Sequence, residues 1–422
     1  MTCHPLLFCD KIFLMIRKRI IIYISIIIGV SICAFFVVKI AQGYRPDFSS
    51  KSLKPNGLLI TTSIPNQAFI FIDGKKVKSK TTPANINLAP GEYEVEIKKD
   101  GYNSWKKKLL IEKELIVKTD AYLFSTYSDL KALTSTGAER PIISPDGKKV
   151  TYAVSNQEND KNGIWVLSLS DRPLGLNPEP VQVLESAPKG RKFEDGDYQW
   201  SFDSKQLLVT LPKVSTISGK ITEENFLING NKLNPATELI DVTNQVLGIK
   251  NRWLDEENIV KEAKLSKLPE ELLEIFNNST DNIMFSSDET KILYTATDSA
   301  HIPKNIIPTF PGASSQTQAR EIKPGKLYVY DVKEDRNFFI MDTPQEDEIF
   351  PKISWFPTSK NLFVVQEDRI SIVEYDGGNF TDVYSGPFEN SFAFPFPSSS
   401  KILVLTSLSK ETPNNLYSIS LR

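Results

Sequence analysis

The chain alternates between three patterns of apolar and polar positions. From Ile20 to Val38, IIIYISIIIGVSICAFFVV, nineteen residues pass without a charge. A helix of that length runs to roughly 28 Å, close to the ~30 Å hydrocarbon core of a bilayer. Arg17, Lys18 and Arg19 stand directly before it and predict a cytoplasmic N-terminus, with the bulk of the chain outside the membrane. A cleaved secretory signal shares this layout, but Lys39-Ile40-Ala41 puts a charge where its cleavage site needs a small residue. Met15 opens a second basic-then-apolar start, MIRKR. Residues 39–56, rich in Pro, Ser and Lys, read as a flexible tether.

From Gly57 to Phe124 the period falls to two. In GEYEVEIKK, residues 91–99, Tyr93, Val95 and Ile97 face one way and Glu92, Glu94, Glu96 and Lys98 the other, as in a half-buried strand. Residues 68–72, AFIFI, are apolar on both faces and predict a central strand running into the Asp73-Gly74 hairpin turn. Ala89-Pro90-Gly91 and Asp100-Gly101 supply two more turns. Five to seven short strands in this span predict a small β-sandwich.

From residue 125 onward one pattern repeats. SPDGKKVTYAV begins at Ser144, SFDSKQLLVTL at Ser201, SSDETKILYTA at Ser286, FPTSKNLFVVQ at Phe356 and FPSSSKILVLT at Phe396. WLDEENIV at Trp253 reads as a degenerate sixth copy. Each is a turn followed by a β-rich run. Apolar segments at 163–169, 326–332, 369–375 and 415–421 add what reads as an edge strand. Repeats of four short strands predict a propeller of about six blades. Two stretches interrupt them. LPEELLEIFN, residues 268–277, has Pro269 at a helix start and apolar residues on one face, and predicts a helix replacing missing outer strands of the third blade. Residues 297–325 form a long loop holding Pro303, Pro308, Pro311 and Pro324.

These residues carry two resemblances. Asp73-Gly74, Thr82-Pro83, Leu88, Pro90-Gly91, Val95 and Gly101-Tyr102, in that order, resemble the PEGA domain, although Ala-Pro-Gly-Glu stands at 89–92 in place of its name-giving tetrapeptide. The resemblance implies an extracytoplasmic β-sandwich of bacterial and archaeal surface proteins. SPDGKKVTYAV resembles the repeat of WD40-like, TolB-type propellers. The division that follows is 1–19 cytoplasmic, 20–38 transmembrane, 39–56 linker, 57–124 sandwich and 125–422 propeller.

Composition narrows the function. Beyond residue 39 the chain carries 45 basic and 51 acidic residues, which argues against a nucleic-acid partner. Cys3, Cys9 and Cys33 all precede or lie inside the apolar run, so the exported part has neither disulfides nor thiolate metal sites. Neither Cys9 nor Cys33 has the small preceding residue of a lipoprotein signal. His301 is the single histidine beyond the membrane segment, no G-x-S-x-G occurs, and Ser218-Gly219-Lys220 lacks the first P-loop glycine, Val214 standing there. The run Glu194-Asp195-Gly196-Asp197 lacks the glutamate of a calcium loop. Trp105, Trp165, Trp200, Trp253 and Trp355 read as core rather than as sugar platforms. No catalytic, cofactor or metal set is expected.

The expectation is therefore a single-pass plasma-membrane protein, held in the lipid bilayer through Ile20 to Val38. It would present a sandwich and a propeller as a non-catalytic scaffold for an envelope protein or cell-wall polymer. A propeller enzyme with a funnel site and an envelope sensor are the alternatives. Ile302, Ile306, Ile307 and Phe310 in the Pro-rich loop are the expected partner-binding residues, weighed against folding back as cover for a hydrophobic patch.

Overall fold

The computed structural model describes residues 6–41, 44–47, 52–127, 129–155, 161–170, 179–186, 191–214, 221–308, 314–344, 351–409 and 411–422. The long apolar stretch is helical as expected, within α1 (Leu6–Ala41). Its segment Arg19–Ile40 is long and apolar enough to cross a membrane, and none of it is buried against protein.

The described residues divide into two compact units: 1–96, 108–121 and 311–315, and 97–107, 122–310 and 316–422. In the first, the tether is not the featureless coil its composition predicts. β1 (Arg45–Asp47) pairs antiparallel with β2 (Ser52–Lys54), and the Tyr44 hydroxyl donates to Glu114 Oε1 at 2.8 Å. Strands β3 (Gly57–Ile64), β4 (Phe69–Ile72), β5 (Lys75–Thr81), β6 (Ala84–Leu88), β7 (Gly91–Lys98), β8 (Trp105–Ile111) and β9 (Ile116–Tyr122) form two sheets, ordered β6-β3-β9 and β5-β4-β7-β8. Strands β7 and β8 cross the boundary between the units. Period two is obeyed: Val117, Thr119 and Ala121 are buried while Ile116, Lys118 and Asp120 are exposed. Val95 is buried and Glu92 exposed, although Glu96, on the outward side, is largely covered. The apolar β4 is internal to its sheet as expected, with the Lys76 ammonium 3.4 Å from the Phe69 ring centroid. Its hairpin closes in two residues because Asp73 and Gly74 both take positive φ, 48° and 73°.

The second unit contains five four-stranded antiparallel sheets among its described residues. The first is β11 (Glu139–Ile143), β12 (Lys149–Val154), β13 (Gly163–Ser168) and β14 (Val181–Glu185). The second is β15 (Asp197–Trp200), β16 (Gln206–Val214), β17 (Ile221–Asn229) and β18 (Ile240–Asp241). The third joins β19 (Thr280–Phe285), β20 (Lys291–Ala296), β23 (Lys326–Asp331) and β24 (Arg336–Asp342), with the two-residue strands β21 (Ala300–His301) and β22 (Glu321–Ile322) paired beside it in sequence. The fourth is β25 (Lys352–Trp355), β26 (Asn361–Val365), β27 (Arg369–Glu374) and β28 (Thr381–Ser385). The fifth draws β29 (Ala393–Pro395), β30 (Lys401–Thr406) and β31 (Asn415–Ser420) from the end of the chain. Its outer strand is β10 (Leu130–Ala132), which precedes the first of these sheets in the chain.

One turn recurs in each of these five four-stranded sheets. The backbone N–H of Ser144, Ser201, Ser286, Phe356 and Phe396 donates to the carbonyl five residues on, and the fourth residue of each turn takes a left-handed φ. Those residues are Gly147, Ser204, Glu289, Ser359 and Ser399, at 56–68°. In the first three copies the serine hydroxyl donates to the aspartate two residues on, at 2.6–2.7 Å for Asp146, Asp203 and Asp288. The same aspartates accept the backbone N–H of Lys148, Lys205 and Thr290 at 3.1 Å. In the second and third copies this serine–aspartate pair brackets a non-glycine residue, Ser204 or Glu289, in a conformation it otherwise avoids, while Ser359 and Ser399 adopt the same conformation in turns that open on phenylalanine.

Three expectations are corrected. WLDEENIV is not a sixth turn-and-strand copy but part of α2 (Val246–Leu265), whose Ile249 and Trp253 pack on Leu208 of the second sheet. Helix α3 (Glu270–Ser279) replaces no strand, because the third sheet has all four; Leu272 and Phe276 cover its apolar residues instead, Phe276 edge-on to Tyr294 at 4.9 Å. The segments read as edge strands, β13, β23, β27 and β31, are paired on both sides, which accounts for their apolar character on both faces.

Two outcomes follow. Val95→Asp should destabilise the sandwich by several kcal/mol, since it strands a carboxylate in a fully buried site, while Glu92→Lys leaves the melting midpoint in place. The second concerns acid. The Ser201 hydroxyl and the Lys205 N–H hold Asp203 below its ordinary pKa. At Asp146 and Asp288 burial acts upward, but the Ser144 and Ser286 hydroxyls and backbone N–H groups outweigh it. Depressed folded-state pKa values give stability that is present above the unfolded carboxylate range and is lost as pH falls through the folded values. The melting midpoint should therefore drop below about pH 4, and Asp203→Asn should lower it at pH 7 while flattening that acid limb.

Candidate functional site

Two polar centres stand out in the second unit. The first anchors the Pro-rich loop. Arg320 lies nearly buried and donates to Asp335 Oδ1 at 3.0 Å and to the Pro303 carbonyl at 2.8 Å. Tyr330 donates to the same Asp335 oxygen at 2.6 Å, and Tyr294 to Asn337, whose amide donates in turn to the Ala319 carbonyl. Burial drives the Tyr330 hydroxyl well above its ordinary pKa, with Asp335 adding to it, so that hydroxyl stays a donor.

This network fixes where the expected partner-binding residues go. Ile302 is fully buried in the cluster of the third sheet, together with Leu272, Phe276 and Tyr328. Ile306 and Ile307 pack, half-buried, against the same cluster. Phe310 lies outside the described residues. The three described isoleucines thus lie in the covering geometry, because Arg320 and the β21–β22 pairing hold the loop against the sheet.

The second centre was not legible in the sequence. Lys107 Nζ lies 2.7 Å from Glu374 Oε2 and 2.5 Å from Asp376 Oδ2. The Lys107 side chain is 12% exposed, that of Glu374 10% and that of Asp376 0%. The Trp105 indole N–H donates to Glu374 Oε1, and the Lys106 N–H to Asn379 Oδ1 at 2.8 Å. Burial works to lower the Lys107 pKa, but Glu374 and Asp376 outweigh it and hold the ammonium well above its ordinary value. The carboxylates sit at a turn between β27 and β28 in which Gly377 takes φ 80° and Asn379 φ 50°. Glu374, Trp105 and Asn379 line a small crevice with Asn103, Asn361 and Thr381. A lysine in KKK and a carboxylate in EYDGG are ordinary surface residues by composition; only the pairing brings them together.

The remaining candidates resolve into structure. His301 is an exposed residue of β21 whose ring meets Glu321. Glu194 is buried, accepting from the Ser186 hydroxyl, while Asp195 and Asp197 are exposed. Ser218-Gly219-Lys220 lies outside the described residues. Trp105, Trp200 and Trp253 are buried, and Trp165 and Trp355 half-buried, with indoles donating to the Lys161 and Met284 carbonyls. Among the described residues no group of three or more His, Cys, Asp or Glu side chains is placed to hold a metal.

The class this defines is a mainly β protein with an apolar N-terminal helix, a small sandwich and propeller-type four-stranded sheets. Residues 56–125 match the family model described as PEGA domain. Among solved structures the chain is similar to a TolB-assigned protein from Agrobacterium tumefaciens (14% identity over 67% of this chain and 72% of the other, TM-score 0.20). It is also similar to TolB from Acinetobacter baumannii (13%, 78% and 59%, TM-score 0.22) and to hydrazine synthase from Kuenenia stuttgartiensis (14%, 87% and 96%, TM-score 0.19). No curated protein matches.

Ile302→Ala should lower stability by about 2–5 kcal/mol, as for a large-to-small change in a packed core. Chemical denaturation reads this directly; a change below about 0.5 kcal/mol, the range of surface substitutions, would mean that the loop does not cover the sheet.

Proposed function

We propose that this protein is a membrane-anchored, extracytoplasmic scaffold that displays its sandwich and its repeated sheets to an envelope protein or a cell-wall polymer, without catalysis. The observation that carries this reading is the helix Arg19–Ile40: its apolar side chains are unburied among the described residues, and lipid is the solvent that suits such a surface. The basic cluster Arg17-Lys18-Arg19 favours an inward N-terminus, so the PEGA-matching residues 56–125 would emerge on the outer side. The second unit supports a presenting role. Its buried charges are used against one another, as in Arg320–Asp335 and Lys107–Glu374, and its repeated turns present polar side chains on a rigid framework.

Protease applied to intact spheroplasts tests the orientation. The reading predicts loss of the C-terminal region while a tag at the N-terminus survives; a protected C-terminal region would sink it.

A further inference from the structure

The Lys107–Glu374–Asp376 cluster holds more negative than positive charge in a site nearly closed to water. Two carboxylates share one ammonium, and Asp376 is wholly unexposed. Apart from Lys107, no hydrogen-bond donor reaches Asp376 Oδ2 among the described residues. The rings of Trp105 and Tyr375 each stand 5.8 Å from the Lys107 nitrogen and wall the group with aromatic surface. Desolvated opposite charges gain little over a neutral pair, and a reaction that removes both charges is favoured where water cannot restore them.

We propose that Lys107 and Asp376 condense into an intramolecular amide, with Glu374 as the proton carrier. Within the contact, the ammonium gives one proton to Asp376, leaving a neutral amine beside a carboxylic acid. The Nζ lone pair attacks Asp376 Cγ, and a bond forms between them. Glu374, 2.7 Å from the same nitrogen, takes a second proton from it and delivers it to the departing hydroxyl. The Cγ–O bond breaks and one water leaves through the crevice that Glu374 lines. The ion pair becomes an amide and a water, with no oxidant or cofactor. The Trp105 N–H on Glu374 Oε1 keeps the carrier aimed through its other oxygen.

The rest of the unit offers a contrast. Lys291 and Asp331 are also buried, but they stand 3.4 Å apart, and among the described residues Asp331 is the one carboxylate paired with that lysine. Arg320 and Asp335 meet at 3.0 Å, but a guanidinium does not lose its proton to become a nucleophile. Lys107 alone among these buried cations has both an acyl acceptor and a separate base within hydrogen-bond reach. A covalent tie here would do for an exported chain what a disulfide does elsewhere, and the chain holds no cysteine after Cys33.

The full-length protein in detergent, denatured and digested with chymotrypsin, tests this. Cleavage after Trp105, Leu109, Tyr375 and Phe380 should yield residues 106–109 joined to residues 376–380, one water lighter than their sum. Lys107→Arg and Glu374→Gln should both return the two peptides unlinked. Unlinked peptides from the unmutated protein would overturn the proposal. So would a water-deficient but unlinked 376–380 peptide, which marks succinimide formation at Asp376-Gly377. A link through Glu374 in place of Asp376 would overturn the assignment of roles, as would an intact link in Glu374→Gln. The unmutated protein decides the existence of the bond even if either variant fails to fold.

Discussion

The backbone ladder between β10 and β31 is the constraint on which the second unit depends. Leu130, Lys131 and Ala132 pair with Ile419, Ser418 and Tyr417, so the fifth sheet joins a strand that precedes the first sheet to the last strands of the chain. Without that strand, β31 would present an open edge of unpaired N–H and C=O groups, and Tyr417 and Ile419 would lose one flank. Apolar clusters join neighbouring sheets. The fifth sheet shares one cluster with the fourth, through Ile402 and Ile372, and another with the first, through Leu403 and Val150. The first and second sheets meet through Val183 and Leu207, and the third and fourth through Val329 and Leu362.

Between the second and third sheets the chain changes character. α2 begins with Ile249 and Trp253 packed on the second sheet, and its last residue, Leu265, joins α3 in the cluster of the third. Lys264 and Lys267 reach Glu289 in the turn of the third sheet at 3.2 and 3.3 Å. The helices thus occupy the place in the chain where the sequence pattern suggested a sixth repeat. WLDEENIV carries an aspartate at its third position, as the copies at Ser144, Ser201 and Ser286 do, but Glu256 and Glu257 continue an unbroken helix where those copies have a left-handed turn residue and a strand. Helical spacing of Ile249 and Trp253, four apart, was the signal available.

Local chemistry was legible wherever it repeats or alternates. The Asp73-Gly74 hairpin, the alternation in β7 and the five turns could all be read, because each depends on residues within a few positions of one another. The loop at 297–325 was legible as a loop but not in its seating, since Arg320 and Asp335 meet across a strand pair that no local pattern announces. The Lys107 cluster was illegible for the same reason at greater range: Lys107 and Glu374 are 267 residues apart. Buried charges are bound to a partner, and the identity of that partner is a property of the fold.

Pairing of the first and last strands is open to direct measurement. Lys131→Cys and Ser418→Cys place two thiols at facing positions of the ladder, in a background with Cys3, Cys9 and Cys33 replaced by serine. Antiparallel neighbours lie within the Cα separation that a disulfide spans. Mild oxidation of the folded protein should close a loop between them, seen as faster migration on a non-reducing gel that reductant abolishes. Two free thiols persisting in a protein with an unchanged melting midpoint would contradict the pairing and, with it, the account of the fifth sheet.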